Sequence, residues 1–109
     1  MEGWLLLTAA ILTEVAATIA LKMSDGFTRL GPSVVVVVGY LVSFSLLAKL
    51  LTSGMPLAVV YAVWSAVGVA LIALIGVLWL GEHLTWVQSA GLLLVVVGVW
   101  ALEAGGSHA

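Results

Sequence analysis

The chain contains no cysteine, so it has no disulfide framework, no thiolate metal site and no thiol nucleophile. Charge is scarce as well: three basic and five acidic side chains, 7% of residues, against about 25% in a water-soluble domain. A chain this short leaves much of its surface wet, and so few charges cannot cover it. A water-soluble enzyme is excluded. Three basic residues and a net charge of -2 cannot neutralise a run of phosphates, so nucleic acid is excluded as a partner too. What is present is apolar: 64% of the 109 residues are hydrophobic and the mean hydropathy is +1.34. The lipid bilayer is the solvent that such a composition fits.

A helix needs roughly 20 apolar residues to cross a hydrocarbon core of about 30 Å. Four stretches reach that length: Gly3 to Lys22, Ser33 to Thr52, Leu57 to Leu80 and Thr85 to Glu103. The breaks carry turn chemistry: Ser24-Asp25-Gly26 and Gly31-Pro32, then Ser53-Gly54-Met55-Pro56, then Gly81-Glu82-His83. The valine runs Val34 to Val38 and Val95 to Val97 favour strands by propensity. Lipid removes that option, because only a helix satisfies its own backbone within a continuous apolar run. The expected fold class is an all-α integral membrane protein, one domain of four transmembrane helices over residues 1–109 with short links and no extramembrane domain. The first stretch lacks a basic leader region, carries Glu14 and runs too long for a signal peptide, so it reads as a retained span.

Orientation is set by Lys and Arg in alternate loops. Lys22 and Arg29 flank the first loop, Lys49 lies near the second, and the third has none. With the terminal amine counted, the bias is close to zero. That balance admits insertion in both orientations; a single orientation fixed by something else is the alternative.

Glu14 is the residue a lipid-spanning helix should not contain. Leu5, Leu6 and Leu7 precede it and Ile19, Ala20 and Leu21 follow. An ionisable group at that depth costs at least about 2.5–3.5 kcal/mol on insertion scales, so it must face protein or a water-filled cavity. Its neighbours at helical spacing are Leu7, Ala10, Ile11, Ala17, Thr18 and Leu21. Ala10, Ala17 and Thr18 are small, leaving room for another helix or a ligand. No Lys or Arg lies within any span core. Away from water an unbalanced charge is costly. A proton or a mobile cation is then its charge-balancing partner, which is the logic of an exchanger. A protonated Glu serving only as glue between helices is the alternative.

Other polar and aromatic residues fall into order around it. In the third span Tyr61, Trp64, Ser65 and Gly68 share a face, and in the second Tyr40, Ser43, Phe44 and Leu47 do. Both tyrosines and Trp64 sit in span interiors, away from the interfacial belts that account for Trp4, Trp79, Trp86 and Trp100. Interior aromatics orient a carboxylate and attract an organic cation through their faces; plain helix packing is the competing explanation. Gly91 and Gly98, seven apart in the fourth span, form a stripe that permits close backbone approach. Four short helices do not readily enclose a bulky ligand, so a dimer joined along that stripe is expected, bringing two copies of Glu14 into one chamber. Glu82 and His83 lack the neighbours of a metal set and read as solvated loop residues, and Glu103 and His108 belong to the C-terminal end. No metal site is expected.

Taken together, these residues resemble the small multidrug resistance transporters over the whole length. The resemblance rests on Ala10-Ile11-Leu12-Thr13-Glu14-Val15, on Gly26-Phe27-Thr28-Arg29-Leu30, and on Ser43-Phe44 followed by Leu46-Leu47. Tyr61-Ala62-Val63-Trp64-Ser65 with Gly68, and Gly91 with Gly98, complete it. It implies an antiparallel, dual-topology homodimer in the bacterial inner membrane, exporting small lipophilic cations against entering protons. Protons would be the coupling ion, with no other cofactor. Under that resemblance the Glu14 pair binds protons and substrate in mutually exclusive fashion, and Tyr40, Tyr61 and Trp64 line the chamber. Leu7, Ala10, Ile11 and Thr18 form its first-helix wall, Ser43 is a polar contact, and Gly91 and Gly98 make the dimer interface.

The family divides by substrate. Its guanidinium branch typically has glycine where this chain has Ala10 and tryptophan where it has Ala17, so the chain resembles the quaternary ammonium, multidrug branch. It departs in the third helix, where members usually carry a Gly-x-Gly kink: here Ala66 takes the first position and Gly68 alone remains as the hinge. Lys49 has no role in this reading. Guanidinium export, a non-transporting membrane subunit, and one half of an obligate heterodimer stay open as alternatives.

Overall fold

The computed structural model describes residues 2–105. The terminal amine of Met1 and the tail with His108 lie outside them. The described residues form four helices and no strand: α1 (Glu2–Met23), α2 (Leu30–Leu51), α3 (Leu57–Trp79) and α4 (Trp86–Ala104). All four are long and apolar enough to cross a membrane. They divide into two compact units, one ending at Pro56 and one beginning at Leu57.

The first unit is the α1–α2 hairpin. Along α1 and into the turn that follows it, Gly3, Leu7, Ala10, Glu14, Ala17, Leu21 and Ser24 recur at alternating steps of four and three, the repeat that keeps one stripe facing a partner helix. On α2, Val36, Ser43 and Leu50 are buried at intervals of seven. The two stripes meet in antiparallel register. Ser43 Oγ donates to the Ala10 carbonyl at 2.9 Å, and Gly39 lies against Ala17 while Gly3 lies against Met55, Leu50 and Ser53. The space beside the small residues of α1 is therefore used by α2 itself.

Ser24 holds the hairpin's turn. It is fully buried, its Oγ donates to the Leu21 carbonyl and accepts from the Phe27 N–H, and its carbonyl accepts from the N–H groups of Thr28 and Arg29. Asp25, Gly26 and Phe27 are all left-handed, with φ of 51°, 70° and 67°. Glycine takes this conformation freely and Asp tolerates it, but for Phe27 it is strained.

α2 begins at Leu30, three residues before the expected Ser33. Gly31-Pro32 does not break it, because proline in a first turn forgoes an N–H that has no intrahelical partner anyway. Lys22 and Lys49 occupy the last turns of α1 and α2, where a cation interacts favourably with the helix dipole. That gives Lys49 a structural role.

The second unit is α3 and α4. In the last turn of α3 the Gly76 carbonyl accepts from the N–H groups of Leu80 at 3.2 Å and Glu82 at 3.0 Å, with Gly81 left-handed at φ 70°. Glu82 is exposed, yet its carboxylate folds back onto Gly76, where any side chain would collide with it. α4 opens with a capping box: the Gln88 N–H donates to Thr85 Oγ1 at 3.1 Å and the Thr85 N–H to Gln88 Oε1 at 2.9 Å. No residue of α4 is buried.

Candidate functional site

Glu14 occupies the middle of the α1 stripe and is half-buried. Thr18, one turn later, donates its hydroxyl to Glu14 Oε2 at 2.6 Å, the short distance expected of a hydrogen bond to a carboxylate. Its Oγ1 also lies 2.7 Å from the Tyr40 hydroxyl on α2. A threonine hydroxyl has one proton and two acceptor lone pairs. With its proton given to Glu14 it accepts from Tyr40, so the chain runs from Tyr40 through Thr18 to the carboxylate. Tyr40 in turn stacks on Phe44, ring centroids 6.3 Å apart and planes 27° from parallel. Two hydroxyls, one from each of two apolar helices, thus lead in series to one acid.

The remaining expected residues fall into distinct settings. Leu7, Ala10 and Ile11 are buried. Ser43 is fully buried and its hydroxyl is engaged by the Ala10 carbonyl, which also accepts from Thr13. On α3, Trp64 is buried while Tyr61 is 70% exposed. Both Ala66 and Gly68 are buried. On α4, a Cβ added at Gly91 or Gly98 would meet nothing within 4 Å, so among the described residues of its unit nothing packs against this stripe.

An apolar groove of about 450 Å³ runs between α3 and α4, past Ala66, Val67, Leu74, Val96 and Trp100, with Glu103 as its one charged lining residue. No buried side-chain nitrogen or oxygen among the described residues lacks a hydrogen-bond partner.

Sequence reasoning placed Thr18 beside Glu14 from their spacing of four. It did not find the Thr18–Tyr40 bond, which joins residues 22 apart in sequence, nor the Ala17–Gly39 contact next to it. The available signal was a small residue preceding a hydroxyl-bearing one on each helix: Ala17-Thr18 and Gly39-Tyr40.

Comparison with known families matches residues 2–95 to one described as Small Multidrug Resistance protein. Similar proteins include the multidrug resistance protein mmr of Mycolicibacterium paratuberculosis, 49% identical over 105 residues, 96% of this chain and 98% of that protein. The quaternary ammonium compound-resistance protein QacE of Escherichia coli is 48% identical over 103 residues, 94% of this chain and 93% of that protein. The multidrug resistance protein EbrA of Bacillus licheniformis is 46% identical over 99 residues, covering 91% and 93%.

Proposed function

The chain belongs to the Small Multidrug Resistance family, and on that premise we propose that it exports lipophilic organic cations, quaternary ammonium compounds among them, in exchange for protons. It is a multi-pass protein of the bacterial inner membrane and a transporter rather than an enzyme. The similar proteins carry names of multidrug and quaternary ammonium resistance. That supports bulky cations as substrates over guanidinium.

The observation that carries the exchange reading is a carboxylate in mid-span whose Oε2 accepts a 2.6 Å hydrogen bond from Thr18. A carboxylate prepared in this way holds either a proton or a cation, and neutralising it by one excludes the other. On the acidic side of the membrane protons displace the cation from Glu14; on the other side the cation displaces protons. Each pH unit of gradient supplies about 1.4 kcal/mol per proton. Tyr40, Tyr61 and Trp64 offer the aromatic faces that favour delocalised cations over compact ones. Leu7, Ala10, Ile11 and Ser43 support the helix that carries the acid.

The working unit in this reading is an antiparallel homodimer held along Gly91 and Gly98. The near-balanced loop charges, and the open space in front of both glycines, support it. Gly68 serves as the hinge of α3, and Ala66 makes that helix stiffer than a Gly-x-Gly sequence would.

The test is uptake into proteoliposomes under an imposed proton gradient, comparing tetraphenylphosphonium with guanidinium. Gradient-driven accumulation of tetraphenylphosphonium and not of guanidinium is expected. Accumulation of guanidinium alone, or of neither ion, refutes the proposal.

A further inference from the structure

We propose that Gly39 is a positioning residue for the Glu14 site: its missing side chain lets α2 lie against Ala17, and that contact sets the Tyr40–Thr18 hydrogen bond. A Cβ placed on Gly39 would lie 2.8 Å from Ala17 Cβ, closer than two carbons approach without one of them moving. Ala17 Cβ is fixed directly to its backbone, so no side-chain rotation relieves the clash and the two helices must separate locally. The next residue on each helix is a member of the hydrogen-bond chain, Thr18 on α1 and Tyr40 on α2. Their oxygens are 2.7 Å apart, the preferred separation of two hydroxyls, and relieving the clash by several tenths of an ångström or more carries the pair past the usual range for such a bond. Thr18 has a second obligation, the 2.6 Å bond to Glu14 Oε2, so it cannot follow Tyr40 without releasing the acid. Gly39 therefore acts through Tyr40 and Thr18 and touches no substrate.

The geometry also contains its own compensation. The next atoms that the added Cβ would meet are Ala17 Cα and the Thr13 carbonyl oxygen, each at 3.4 Å, an ordinary contact. Removing the methyl of Ala17 thus makes room for one on Gly39, and the pair Ala17→Gly with Gly39→Ala keeps the spacing of the helices.

The inference rests on the reading of Glu14 as the exchange site, and two measurements on the full chain in micelles separate the two. The first follows the ring 13Cζ resonance of Tyr40, one of two tyrosines, the other assigned with Tyr61→Phe. The second is tetraphenylphosphonium affinity at fixed pH. Gly39→Ala is expected to move the Tyr40 resonance in the same sense as Thr18→Val, and to weaken binding about fivefold, the worth of one hydrogen bond. Adding Tyr40→Phe to Gly39→Ala lowers affinity no further, and the swapped pair returns both signals to those of the unmodified protein. An unmoved Tyr40 resonance in Gly39→Ala, losses that multiply to roughly 25-fold, or an altered resonance in the swapped pair overturns the inference. Should Gly39→Ala fail to fold, the swapped pair alone decides. Absence of cation binding by the unmodified protein defeats the exchange reading, while the Tyr40 resonance still decides the role of Gly39.

Discussion

Replacing Glu14 by Gln isolates charge from shape. The amide is nearly isosteric with the carboxylate, and its oxygen can keep the bond that Thr18 now makes to Oε2 at 2.6 Å. The amide nitrogen adds donors at a position that is half-buried and not sealed, so the α1–α2 hairpin should fold as before. What disappears is a unit negative charge. A bound cation whose charge centre lies about 5 Å from the carboxylate, at an effective dielectric constant of about 20, loses about 3 kcal/mol, roughly two orders of magnitude in affinity. Equilibrium binding of tetraphenylphosphonium to the purified protein measures that loss, and a weakly buffered solution with a pH indicator measures proton release on adding the cation. The unmodified protein is expected to release protons, and Glu14→Gln to release none and bind at least a hundredfold more weakly. Retention of affinity within tenfold by a folded Glu14→Gln protein, or proton release from it, would refute the assignment of the exchange chemistry to this residue.

Three further outcomes follow from the geometry. Gly91→Leu with Gly98→Leu faces open space among the described residues of its unit, so it should leave the folded protomer intact and abolish dimers in chemical crosslinking; undiminished dimer yield rejects the stripe as the interface. Phe27→Gly relieves a left-handed backbone at φ 67° and should raise the thermal unfolding midpoint in detergent, a gain of roughly 1 kcal/mol. Ser43→Ala removes a buried donor while leaving Thr13 Oγ1 on the Ala10 carbonyl at 3.0 Å. It should destabilise by only about 0.6–1.5 kcal/mol, read as a small shift of the midpoint in a mixed-micelle unfolding titration.

The elements were legible because lipid permits so few alternatives. Once length and hydropathy required four spans, helix was the only secondary structure left, and the valine runs could not argue otherwise. Glu14 was legible as a chemical anomaly for the same reason. Helix ends were less so: Gly31-Pro32 carries turn chemistry in general, but its place in the first turn of α2 depends on where the preceding loop closes. The left-handed Phe27 was hidden, since nothing in a bulky aromatic announces that conformation; the buried Ser24 imposes it by binding both ends of the turn. The capping box at Thr85 and Gln88 could have been found, its spacing of three being an ordinary start signal. The sequence marks Tyr40 both as a donor that can orient a carboxylate and as a face for cations, but not that its hydroxyl reaches Glu14 by way of Thr18. Pairing across a hairpin depends on register, and register comes from the fit of small residues such as Ala17 and Gly39, which look interchangeable in a one-dimensional reading.

Every atom in the run from the Tyr40 phenol to the Glu14 carboxylate belongs to a single hairpin of 56 residues. In the exchange proposed above, a hairpin that tilted or slid as a body would keep all of those bonds. The acid can then be offered first to one aqueous compartment and later to the other with its donors still in place. Reorientation would turn the whole prepared group at once, like a key moved on its ring, instead of dismantling it on one side and rebuilding it on the other.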